Sequence, residues 1–178
     1  MIVVHVAVTA SDDYLSRREP LRQAHIERLL ALRGAGSLIG GGPAPDGRTA
    51  DVFYRLARPD ELARLVEDDP YHVGGAWAHY ASRSFSTFVE PWEPVPVVLD
   101  GSRRVTIVEG PAADPDMAEF ALIELRGAGR LAFGGFLGGA ETLAVIRSPD
   151  AAEAVGWLGE TGFWAPERLS ARALFHVL

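Results

Sequence analysis

The sequence predicts an α+β protein of two tandem strand–helix–strand–strand–helix–strand units packed sheet to sheet. Three observations predict this. "LRGAGSLIGGG" at 32–42 returns as "LRGAGRLAFGG" at 125–135, identical at eight of eleven positions. "ADVFYRLARPDELARLV" is echoed by "AETLAVIRSPDAAEAVG", with a helix-start signal, Pro-Asp, in each. Short apolar segments that alternate with polar residues fill the places between the helices.

Taken in order, strands are expected at 2–9, 37–41, 50–57 and 82–89, with helices at 19–33 and 59–68 between them. "SRRE" (16–19) fits a capping box that would start the first helix early. In the second unit strands fall at 104–109, 131–134, 141–147 and 171–177, and helices at 115–126 and 149–158. The glycines of "GSLIGGGP" read as turn and close-packing residues. Between the units, "EPWEPVPVVLDGSRR" carries Pro91, Pro94 and Pro96, which favour an extended linker. The repeat boundaries are therefore 1–97 and 98–178. Each unit is the ferredoxin-like motif, helices on one sheet face and the other face bare. A unit of about 90 residues buries too little surface on its own. Two sheets facing each other would complete the core as an intramolecular pseudo-dimer, with further self-association left open.

Composition narrows the function. A chain of 178 residues with 48% hydrophobic and 23% charged residues can bury a core. Its net charge of −7 argues against nucleic acid, whose phosphates demand a basic face. No apolar run reaches the ~20 residues needed to cross a bilayer. "MIVVHVAVTA" alternates too well to be a signal peptide and reads as a strand, so a cytoplasmic location is expected. There is no Cys, which excludes disulfides and thiolate chemistry. All 17 basic residues are Arg, which excludes a Schiff-base lysine and a Walker P-loop. His72 and His79 lie seven apart without a matching third ligand, so no metal site is expected.

One titratable residue stands apart. At 100° per residue Leu21, His25, Leu29 and Leu32 share the apolar face of the first helix, with Arg18 and Arg22 at its N-terminal end. On the next helix Leu62, Leu65 and Val66 mark the buried face. Asp69 continues that face, while Asp68 points to solvent. Pro70 is expected to stop the helix. Both helices pack on one sheet face, so His25 and Asp69 can meet. A carboxylate on one imidazole nitrogen fixes the tautomer and leaves the other nitrogen to move protons.

"RxxHxxxLxxLxxxGxLxxGGP" (22–43), followed by "DPY" (69–71) and a tryptophan, resembles the YciI-like family of the dimeric α+β barrel superfamily. The resemblance covers about residues 1–97 and implies an active site of His25 and Asp69, with Arg22, and Arg18 upstream, as its basic residues. The second half resembles a decayed copy. Ala118 stands in place of His25, Pro115 in place of Arg22, and "GETGF" replaces "DDPYH", with Glu160 nearby. One branch of the family resembles dehydrochlorinases of hydroxylated aromatics. The resemblance thus implies a cofactor-free acid–base enzyme acting on a small oxygenated, cyclic or anionic molecule by elimination, dehydration, dehydrohalogenation or isomerisation. His25 would move the proton, Asp69 orient it, and Arg18 or Arg22 hold an anionic oxygen. Tyr71 and Trp77 would wall the pocket, and "PAPDGR" (43–48) could lid it. A non-catalytic binding or accessory protein and a cofactorless monooxygenase stay open as alternatives.

Overall fold

A computed structural model describes residues 2–89 and 96–177. Pro91 and Pro94 of the expected linker lie outside the described residues. The chain divides into one unit of residues 1–83 with 177–178 and another of residues 84–176.

The first unit begins with β1 (Ile2–Ala10). It continues through α1 (Tyr14–Arg18), a single 3-10 turn at Glu19–Leu21 and α2 (Arg22–Gly34). Strands β2 (Leu38–Pro43) and β3 (Thr49–Leu56) follow, then α3 (Glu61–Glu67), α4 (Pro70–Val73) and β4 (Trp77–Val89). The strand order is β2-β3-β1-β4, with β3 antiparallel to both β1 and β2. Strand alternation sends Val4, Val6 and Val8 of β1, with Val52, Tyr54 and Leu56 of β3, into a core with Leu29 of α2 and Val66 of α3. Each such apolar side chain contributes about 1.5–3 kcal/mol when fully buried. His5 therefore points to the opposite face of the sheet.

Three local expectations change. The "SRRE" box does not form, because Ser16 Oγ donates to the Asp13 carbonyl instead. Pro20 lacks an N–H, and the helical path tightens there into the 3-10 turn that separates α1 from α2. Pro59 lies ahead of α3, whose N-cap is Asp60, and Pro70 opens α4 rather than only ending α3. Gly41 lies within β2, as the strand expected at 37–41 has it. A Cβ there would stand 2.4 Å from the Asp51 carbonyl oxygen of β3, so only glycine lets the two backbones approach. "PAPDGR" forms the connection between β2 and β3, closed by Ala44 N–H donating to the Thr49 carbonyl at 2.8 Å. From the far end of the chain, Val177 N–H donates to the Gly41 carbonyl at 3.1 Å.

The second unit receives the end of β4 and adds β5 (Arg104–Pro111), α5 (Pro115–Gly127), β6 (Leu131–Gly138) and β7 (Glu141–Ile146). It closes with α6 (Ala151–Gly159), a 3-10 turn at Pro166–Arg168 and β8 (Ser170–Phe175). Its order is β4-β6-β7-β5-β8. Asp114 caps α5 at the expected Pro115 start by accepting from Met117 N–H, whereas Asp150 accepts from Glu153 N–H and starts α6 at Ala151, which leaves Pro149 ahead of the helix. In both units the third strand lies between the second and the first, and the fourth flanks the first.

Candidate active site

The site is built inside the first unit. His25 sits one turn into α2, and Asp69 is the N-cap of α4. His25 Nδ1 lies 2.8 Å from Asp69 Oδ1, the geometry of an imidazole N–H donating to a carboxylate. The same Oδ1 accepts from Tyr71 N–H at 2.9 Å. Pro70 makes this possible: it fits the first helical position, where no N–H is needed, and Asp69 then caps the turn that follows. The carboxylate is fully buried, while the imidazole keeps 12% of its surface. Its Nε2 makes no hydrogen bond among the described residues.

Aromatic rings hold the imidazole. Tyr71 stacks on it at 3.8 Å and 12°, and Trp77 meets it edge-on at 5.4 Å. Tyr71 is in turn met edge-on by Tyr14 at 5.9 Å. Burial, and then the neighbouring Tyr14, push the Tyr71 phenol up to about 12, while the charges of Arg18 and Arg22 pull it down. Arg18 lies 5.4 Å over the Tyr14 ring. Burial opposes its charge, yet its hydrogen bonds to Tyr14 and Glu19 hold the guanidinium above its ordinary range. Arg22 is exposed at the start of α2. The fold thus gathers His25, Asp69, Tyr71 and Trp77 in direct contact, with Arg18 and Arg22 within electrostatic reach. The β2–β3 loop approaches the same region, since a Cβ on Gly47 would lie 3.9 Å from the Tyr14 ring.

Sequence reasoning missed Tyr14. Tyr14 was detectable from its i,i+4 spacing to Arg18. It also missed a second histidine–aspartate pair. His5 Nε2 lies 2.6 Å from Asp51 Oδ1, and Arg83 reaches His5 Nδ1 at 3.0 Å. A guanidinium only donates, so Nδ1 accepts and the ring proton sits on Nε2, toward Asp51. His5 is fully buried with both nitrogens engaged, on the sheet face opposite His25. The signal was a histidine on a β1 position whose strand neighbours point the other way.

The second unit lacks the constellation. Ala118 is fully buried where His25 would stand. Glu160 turns outward and pairs with Arg130 at 3.1 Å. Ala121 occupies the place of Arg28 and lines an open hollow of about 270 Å³ beside Leu125, Arg130 and Trp157. Among the described residues no group of three His, Cys, Asp or Glu side chains is placed to hold a metal, and no helix is long and apolar enough to cross a membrane.

No family model and no curated protein matches the chain. Solved structures do, by fold. A provisionally assigned monooxygenase from Lactobacillus acidophilus superposes with a TM-score of 0.65 at 11% identity, covering 99% of this chain and 94% of its own. A second provisionally assigned monooxygenase, from Fusobacterium nucleatum, gives 0.61 at 7% identity over 99% and 92%. A haem-binding protein from Thermus thermophilus gives 0.54 at 12% identity over 98% and 90%. The chain is a mixed α+β protein whose structural neighbours are of the dimeric α+β barrel type.

Proposed function

We propose that this chain is a cofactor-free acid–base enzyme that acts on a small oxygenated, cyclic or anionic molecule. The observation that carries this reading is the 2.8 Å contact between a sealed carboxylate and an imidazole that is still partly open to solvent. Asp69 holds the Nδ1–H tautomer, which leaves the Nε2 lone pair as a base. A positioned imidazole supplies roughly 10²–10⁴ in rate. It takes a proton from carbon or from a hydroxyl and returns it to a leaving oxygen or to another carbon, which is elimination, dehydration or isomerisation. A hydroxylated ring that carries chlorine would lose it in the same way, as chloride. Arg18 and Arg22 bring the positive charge that a carboxylate or a developing enolate oxygen requires. Tyr71 and Trp77 form the wall on which a planar substrate would lie.

The shared strand order of the two units supports reading them as tandem ferredoxin-like repeats, with residues 1–97 carrying the site and 98–178 a degenerate copy. In this reading the repeats pack as a pseudo-dimeric barrel in a cytoplasmic enzyme.

The test is solvent deuterium exchange, followed by proton NMR, into small hydroxylated benzoic acids and 2-oxo acids, with chloride release from chlorinated hydroquinones in parallel. Wild-type protein should accelerate one of these reactions, and His25→Ala and Asp69→Asn should each abolish the acceleration with the fold intact. Full activity in either variant overturns the dyad. Oxygen uptake on the same compounds would instead favour a cofactorless monooxygenase, and binding without turnover an accessory protein.

A further inference from the structure

Asp69 has a second oxygen. Oδ2 is buried and makes no hydrogen bond among the described residues. The Tyr54 hydroxyl and Arg28 Nε, in the same unit, share that condition. Tyr54 and Asp69 are both fully buried. Buried polar atoms without partners are rare, because each forfeits its hydration.

Their placement draws them together. Arg28 lies one turn beyond His25 on α2, and its Nη2 donates to the Arg64 and Leu65 carbonyls at 2.9 and 3.4 Å, in the last turn of α3. That grip brings the guanidinium to the chain segment that leads directly into Asp69. Tyr54 rises from β3 on the helix-facing side, in the same core as Leu29, Val66 and Tyr71. Burial, and then the Asp69 charge, raise the Tyr54 phenol, while the Arg28 charge lowers it, so all three groups lie within electrostatic range. Their chemistry is complementary: Arg28 Nε–H only donates, Asp69 Oδ2 only accepts, and Tyr54 keeps its proton to donate.

We propose that Tyr54 and Arg28 are positioning residues for Asp69, acting through one buried water that accepts from Arg28 Nε–H and from the Tyr54 hydroxyl and donates to Asp69 Oδ2. Three hydrogen bonds are the usual complement of a buried water. The water fixes the plane of the carboxylate, so that Oδ1 faces both His25 and the Tyr71 amide. The value of this to catalysis rests on the acid–base reading above, whereas the water site itself does not. The second repeat accords with this: where Ala118 removes the histidine, Ala121 removes the arginine too.

The experiment is a double-mutant cycle read by urea unfolding, with Tyr54→Phe made in wild type, in Asp69→Ala and in Asp69→Asn. Alongside it, the nitrogen-15 NMR signature of the His25 Nδ1–H tautomer is recorded. An isolated buried hydroxyl gains stability when deleted, whereas a bridging one loses it. Tyr54→Phe should therefore lower the unfolding midpoint in wild type. The loss should shrink by at least about threefold in unfolding equilibrium constant once Asp69 is alanine. Tyr54→Phe should also perturb the Nδ1–H signature, and Arg28→Met should do the same. A midpoint that rises or stays put, or an equal loss in both backgrounds, overturns the inference. If Asp69→Ala proves too unstable, the Asn background decides by the same criterion. The two readings fail separately. A His25 signature indifferent to Asp69→Asn sinks the dyad, whereas one that responds to Asp69→Asn but not to Tyr54→Phe sinks only the bridge.

Discussion

Replacing Asp69 by alanine removes two hydrogen bonds that converge on one buried atom. The first joins it to the His25 ring at 2.8 Å, and a hydrogen bond to a charged group contributes about 1.5–3 kcal/mol. The second caps α4 through the Tyr71 amide at 2.9 Å, and losing an N-cap costs about 1 kcal/mol. Together they amount to about 3 kcal/mol, which in a chain of this size lowers the melting temperature by about 6–12 °C. Asparagine is as good an N-cap as aspartate and keeps an acceptor oxygen, so it loses only the charge. Its cost should be about 1 kcal/mol, or about 2–4 °C. Urea unfolding followed by far-UV circular dichroism, with calorimetry for the melting temperature, separates the two variants. Equal losses for alanine and asparagine would show that the cap carries nothing. An alanine loss below about 1 kcal/mol, less than the cap alone, would refute the geometry outright.

Two other expectations concern groups outside the proton-moving pair. Asp51→Leu leaves the Nε2–H of the fully buried His5 without its acceptor, and a buried donor left unpaired costs about 1–3 kcal/mol. Urea unfolding should show that loss, while any deuterium exchange catalysed by the folded variant stays at the wild-type rate. Tyr71 sets an alkaline limit. Its phenol is pushed up to about 12 in the folded chain, against an ordinary value of 10.0, so the unfolded chain ionises first. The stability this contributes is complete below about pH 10 and declines as pH climbs toward 12. Tyr71→Phe should therefore flatten that part of the alkaline unfolding curve, and an unchanged curve would contradict the assignment.

Much of this was legible in the residues. The apolar spacing of α2 and α3 placed Leu29 and Val66 in the core and turned Asp69 rather than Asp68 inward, because side-chain direction follows helical period closely. The duplicated passage marked matching strands and helices in both units. What the period could not reveal was how α3 ends. It treats Pro70 as a terminator, whereas a proline at a first helical position also begins a turn, and that second role makes Asp69 a cap. The apparent box at Ser16 failed for a related reason: the chain was already helical from Tyr14, so Ser16 was an interior residue. His5 and Asp51 escaped notice because strand register, unlike helix period, joins residues 46 apart, and no local pattern announces the pairing. Tyr54 and Arg28 read as one more aromatic on a strand and one more arginine among 17.

The buried alanines of α5 imply an uneven division of labour. Ala118 and Ala121 ask nothing of their surroundings except contact, and that half of the molecule can relax into plain close packing. The first unit must keep a carboxylate oxygen, a phenol and an arginine nitrogen out of bulk solvent, each a liability that packing alone would have eliminated. The alanines of α5 thus spare the second unit a cost that the first carries at Asp69, Tyr54 and Arg28.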